Sequence, residues 1–87
     1  MRIRVRRTGG FAGIERSAEV DTSGRPDAGE WRTLAVTVLR QGDGDVRSVP
    51  DGFSYEITID GETVRCGDPR LTESQRALIT KVLNEGA

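Results

Sequence analysis

The chain contains no histidine. That removes imidazole general bases and most zinc-ligand sets, and it leaves every serine and threonine without the partner that usually activates it as a nucleophile. Cys66 is the single cysteine, so no internal disulfide can form. It falls on the apolar side of a predicted strand, where a thiol is generally inert. Carboxylates are numerous, but none sits in a recognisable acid–base arrangement. Asp43 and Asp45 flank Gly44 in the manner of a calcium loop, yet the remaining oxygen ligands and the closing glutamate are missing. Thr8-Gly9-Gly10-Phe11-Ala12-Gly13 has glycines enough to cradle a phosphate, but it opens a strand rather than a helix, so the helix N-terminus that phosphate loops use is absent. These residues point away from an enzyme, a cofactor site or a metal site, and towards a binding or inhibitory module.

Two features could recognise a partner. Arg2, Arg4 and Arg6 alternate along the first predicted strand and form a basic strip of the kind a nucleic-acid ribbon reader offers. Against nucleic acid stand Glu15 and Glu19 across the hairpin, the lack of an aromatic side chain on that face, and a net charge of -1. The second feature is Phe11, a large apolar side chain in a glycine-flanked loop. It is either an exposed anchor for a partner's pocket or a cap folded over the edge of the core. Sequence physics leaves both open.

The elements that must carry these residues are legible as alternating and helical patterns. Eighty-seven residues, 34% hydrophobic and 31% charged, bound the chain to one small domain over residues 1–87 with a thin core. Met1, Ile3 and Val5 alternate with the arginines, and Ile14, Ala18 and Val20 alternate with Glu15, Ser17 and Glu19. The two runs read as a hairpin around Gly9–Ala12. The favoured register sets Ile3 opposite Ala18, Arg6 opposite Glu15 and Arg2 opposite Glu19, or lies two residues away, because only even shifts preserve the faces. Asp27 and Glu30 resemble a capping box before a helical stripe of Trp31, Leu34, Ala35, Val38 and Leu39, although Leu34, Val36 and Val38 also alternate as a strand would. Phe53, Tyr55, Ile57 and Ile59 alternate inward. Asp60-Gly61 then predicts a type I′ hairpin that pairs Ile57 with Val64, Glu56 with Arg65 and Tyr55 with Cys66. Thr72 and Gln75 form a second capping box ahead of a helix whose apolar face is Ala77, Leu78, Ile79, Val82 and Leu83. The order is ββαββα. The economical packing is an α+β fold in which a four-stranded antiparallel sheet carries two helices on one face.

The stretch Arg2 to Ile14, R-x-R-x-x-R-T-G-G-F-A-G-I, followed by Glu19-Val20-Asp21, resembles the start of the emfourin family. Phe53 to Val64, F-x-Y-x-I-x-I-D-G-x-x-V, and the closing Leu-rich helix are similar to that family too. Its members are small protein inhibitors of protealysin-like, thermolysin-related zinc metallopeptidases. The resemblance implies a non-enzymatic protein that occupies the active-site cleft of such a peptidase, whose own residues hold the zinc. It also implies that Gly9, Gly10, Phe11, Ala12 and Gly13 contact the peptidase, with Phe11 entering the pocket that thermolysin-type enzymes keep for a bulky apolar side chain after the scissile bond. Asp43, Asp45 or Asp51 could supply an acidic group towards the partner's zinc, or could simply be solvated. The Gln41–Gly52 loop has its own sequence, so no contact is carried over there. No apolar run approaches the length of a membrane span, and no secretory signal is visible. The expectation is a cytoplasmic protein without cofactor, metal or membrane, and with nucleic acid as an unlikely partner.

Overall fold

The computed structural model describes residues 1–9, 15–43, 52–67 and 70–86. Within them the element order is β1 (Arg2–Gly9), β2 (Arg16–Asp21), α1 (Ala28–Gln41), β3 (Phe53–Ile59), β4 (Glu62–Gly67) and α2 (Glu73–Glu85). The strands form one four-stranded sheet in the order β2-β1-β3-β4, antiparallel at every pairing. One face of the sheet supplies Ile3, Val5, Ala18, Val20, Tyr55, Ile57, Ile59, Val64 and Cys66 to the core. Both helices close over that face with Trp31, Ala35, Val38, Leu78, Ile79 and Val82. The architecture is the one the sequence predicts.

The β3–β4 hairpin forms in the predicted register, with Ile57 opposite Val64, Tyr55 opposite Cys66 and Glu56 opposite Arg65. Its turn residues Asp60 and Gly61 both have positive φ, 47° and 88°, as a type I′ turn requires. The β1–β2 register differs from the first expectation and takes the alternative two residues away: Ile3 faces Val20, Arg6 faces Ser17 and Arg2 faces Asp21. A shift of two leaves every side chain on its own face, so alternation alone could not separate the two registers. The expected ion pairs survive as diagonals, Arg6 with Glu15 at 2.9 Å and Arg2 with Glu19 at 3.5 Å.

Residues 28–41 are helical, which settles the competition with a strand: Trp31, Ala35 and Val38 are the buried positions. The capping box at Asp27 does not form, because the Asp27 side chain makes no cap hydrogen bond. Its carboxylate turns instead to Arg25 at 3.3 Å and Lys81 at 3.5 Å, and Glu30 also lies 3.4 Å from Lys81. The Lys81 ammonium in turn lies 4.8 Å from the centre of the Trp31 ring. Interhelical charge pairing thus takes the residues that a cap would have used.

At α2 the predicted box is complete. The Gln75 amide donates to Thr72 Oγ1 at 3.1 Å, and the Thr72 amide donates to Gln75 Oε1 at 2.9 Å. The apolar face of α2 is rotated from the expected one: Gln75 is buried with Leu78, Ile79 and Val82, whereas Ala77 is exposed. Position 75 lies three before 78 and four before 79, so it shares their stripe, while 77 lies outside it. No helix among the described residues is long and apolar enough to cross a membrane.

Candidate functional site

The residues that bound the Gly-rich segment meet at one end of the sheet. Gly9 at the end of β1 pairs with Phe53 at the start of β3, Ser54 pairs with Gly67 at the end of β4, and Arg7 pairs with Arg16 at the start of β2. Of the five predicted contact residues, Gly9 is described; Gly10, Phe11, Ala12 and Gly13 lie outside the described residues.

Gly9 is glycine for two physical reasons. Its φ is +88°, and a Cβ there would lie 3.1 Å from the Gly52 carbonyl oxygen. The strand therefore runs to the base of the Gly-rich segment while pressed against β3. Gly9→Ala is expected to lower stability by about 1–3 kcal/mol, read from urea midpoints. An unchanged midpoint would contradict the close approach.

Arg6 and Glu15 brace the hairpin on the solvent face. Arg6 Nε donates to Glu15 Oε1 at 2.9 Å and its terminal nitrogen donates to Oε2 at 3.0 Å, a two-pronged guanidinium–carboxylate pair. The hydrogen bonds, and then the opposite charge, hold Glu15 below its ordinary pKa and Arg6 above its own. Asp21 is also lowered, by the hydrogen bonds from Ser23. At Asp27 burial pushes upward, but the contacts from Arg25 and Lys81 outweigh it and the net shift is downward.

For each of these carboxylates the folded pKa lies below the unfolded one. The stability it contributes is complete above the unfolded value and is lost as pH falls through the folded value. Melting temperature should hold from neutrality down to the ordinary carboxylate range and fall below it. Glu15→Gln should flatten part of that fall, by a modest amount because the pair is exposed. An identical acid profile for the variant and the parent would remove Glu15 from this account.

On the same solvent face the basic strip is interleaved with acid. Arg2 lies near Glu19, Arg6 is paired with Glu15, and Arg65 lies 3.8 Å from Glu56. Asp43, one of the acidic residues considered for a partner's zinc, accepts a hydrogen bond from the Arg65 amide at 2.9 Å, so its carboxylate blunts the outer edge of β4. Asp45 and Asp51 lie outside the described residues. Cys66 is buried, 1% exposed, within the core. Among the described residues no group of three His, Cys, Asp or Glu side chains could hold a metal ion.

The helix-facing side of the loop-bearing end carries one residue, Arg7, that sequence reading did not single out. Arg7 follows Ile3 and Val5 on the core face, and its guanidinium carbon lies 4.3 Å from the centre of the Phe53 ring. Phe53 in turn lies 6.4 Å from Tyr55, ring centre to ring centre. Strict alternation along β1 was the available signal: position 7 shares the parity of 3 and 5.

No curated protein and no solved structure matches the chain. The Emfourin family model matches residues 5–83, from within β1 to the last turn of α2, and the chain belongs to the Emfourin family.

Proposed function

We propose that this protein is an inhibitor of a thermolysin- or protealysin-like zinc metallopeptidase and acts by blocking the peptidase's active-site cleft. The carrying observation is the Emfourin match over residues 5–83, which takes in all but the first residues of β1 and the end of α2. The geometry is compatible with that role. The Gly-rich segment springs from a hairpin that is braced by Arg6–Glu15 on one side and by the Gly9–Phe53 pairing on the other. Flanks braced in this way lose little conformational entropy on docking. Phe11 would enter the apolar pocket beyond the scissile bond, and the catalytic zinc would be the partner's own.

The test is a titration of the purified protein against a protealysin-like peptidase hydrolysing a peptide substrate. Stoichiometric, saturable loss of hydrolysis is the expected result. Undiminished hydrolysis at a large excess of the protein would overturn the reading.

A further inference from the structure

Every arginine on the solvent face of the β1–β2 hairpin stands next to a glutamate: Arg2 near Glu19, Arg4 opposite Glu19, and Arg6 on Glu15. The opposite face of the same hairpin is different. Arg7 and Arg16 are directly opposed across the antiparallel ladder, so both project towards the helix side. Among the described residues neither has a carboxylate partner. The contacts that do exist hold these groups in place without neutralising them. Arg7 lies over the Phe53 ring at 4.3 Å, and its Nε is shut off from solvent with no hydrogen-bond partner. Arg16 donates one terminal nitrogen to the Leu83 carbonyl oxygen at 2.9 Å.

Like charges directly opposed on a ladder destabilise it, and a buried polar atom without a partner adds a further cost. Two cations held side by side, Arg7 fixed by stacking and Arg16 by its bond to Leu83, each with terminal N–H groups left over, make a preorganised receptor for a planar anion. The pair lies at the base of the Gly-rich segment, where a docked protein would come closest.

We propose that Arg7 and Arg16 form a carboxylate-binding pair that receives an acidic side chain of the protein partner when the Gly-rich segment docks. Its partner is the peptidase of the proposed function, and on that reading the inference rests. An arginine fork matches a carboxylate with two parallel hydrogen bonds, so the pair would set the orientation of docking as well as add to affinity. The preference for carboxylate over the nucleic-acid phosphate follows from the surroundings: a long polyanion needs a continuous cationic track, and the arginines on the other face of the sheet are already engaged by Glu15, Glu19 and Glu56, whereas a single acidic side chain needs only the Arg7–Arg16 pair.

The experiment has two arms. In the first, Arg7→Gln, Arg16→Gln and the charge-keeping Arg7→Lys are titrated against the peptidase at low and high salt, with melting temperatures measured alongside. Loss of a charge-assisted hydrogen bond should weaken inhibition by about tenfold or more for each glutamine variant and flatten its salt dependence. Arg7→Lys should fall between, since it keeps the charge and loses the fork. Melting temperatures should hold or rise as the repulsion is relieved. Unchanged inhibition with a lowered melting temperature would overturn the proposal and make the pair structural.

In the second arm, the Nε–Hε signals of the protein are followed by NMR while hexaglutamate is added. Saturable shifts of Arg7 and Arg16, lost in the glutamine variants, are expected. A tighter response to an oligonucleotide of equal charge would overturn the assignment to carboxylate. If hexaglutamate binds while the parent protein fails to inhibit the peptidase, the inhibitor reading falls and the carboxylate pair stands. If inhibition holds while hexaglutamate causes no shift and the glutamine variants inhibit as the parent does, the pair falls and the inhibitor reading stands.

Discussion

Ile57→Ala and Leu78→Ala should each lower stability by about 2–5 kcal/mol, the range for emptying a packed aliphatic site. Both side chains are 0% exposed. Ile57 lies in β3, with Val5 opposite on one side and Val64 on the other, so its removal opens a cavity in the middle of the sheet. Leu78 projects from α2 into the same cluster. A chain of this size has a total stability of only about 4–13 kcal/mol at the usual 0.05–0.15 kcal/mol per residue. Either variant therefore removes a large share of it, and at the lower end the protein would unfold near room temperature. Trp31 is the single tryptophan and is fully buried between the helices and the sheet, so its fluorescence reports urea unfolding directly. The midpoint should fall for both variants, with the exposed Thr80→Ala as a control that stays close to the parent. Midpoints unchanged in Ile57→Ala and Leu78→Ala would mean that the core faces are assigned wrongly.

Those faces were readable from sequence because both local patterns and local chemistry pointed the same way. At Asp60-Gly61 the turn demands positive φ at two positions, which fixes the register of β3 against β4 to the residue. At Thr72 and Gln75 the box is a purely local arrangement and no distant group competes for it. Where the competitor was distant, sequence reading fell short. Asp27 has a cap's residue type, but Lys81 approaches it through the fold and, with neighbouring Arg25, takes its carboxylate. The β1–β2 register escaped for a different reason: two registers share the same faces, and the diagonal Arg6–Glu15 pair serves in the one as well as a direct pair would in the other.

Close approaches were invisible as well. Gly86 follows α2 where a Cβ would meet the Val82 carbonyl oxygen at 2.6 Å and the backbone of Glu19 at 3.0 Å. In sequence it reads only as a helix stop. Arg7 is the most consequential omission. Its parity assigns it to the core face, and the stacking on Phe53 depends on a strand more than forty residues away. Of the predicted contact segment, the structure speaks to Gly9 alone.

Phe11→Ala should cost inhibition about thirtyfold or more, the equivalent of about 2 kcal/mol for a buried aromatic anchor, while the melting temperature stays close to that of the parent. The alternative is that Phe11 caps the open end of the core. Phe53 already packs against the core cluster at the same end, with its ring 4.3 Å from the Arg7 guanidinium carbon and 6.4 Å from the Tyr55 ring. The two roles separate cleanly when inhibition and melting are measured on the same preparation. A cap would lose stability first, and any loss of inhibition would disappear on cooling to where the variant is fully folded. An anchor would lose inhibition at every temperature at which the fold is intact. Phe11→Leu refines the test: a pocket that asks for bulk and apolarity should accept leucine with only part of the loss. If Phe11→Ala inhibits as the parent does and melts as the parent does, the Gly9–Gly13 segment is not the inhibitory element, and the stretch from Gln41 to Gly52, which leads into Phe53 at the same end of the sheet, is the next to be mutated.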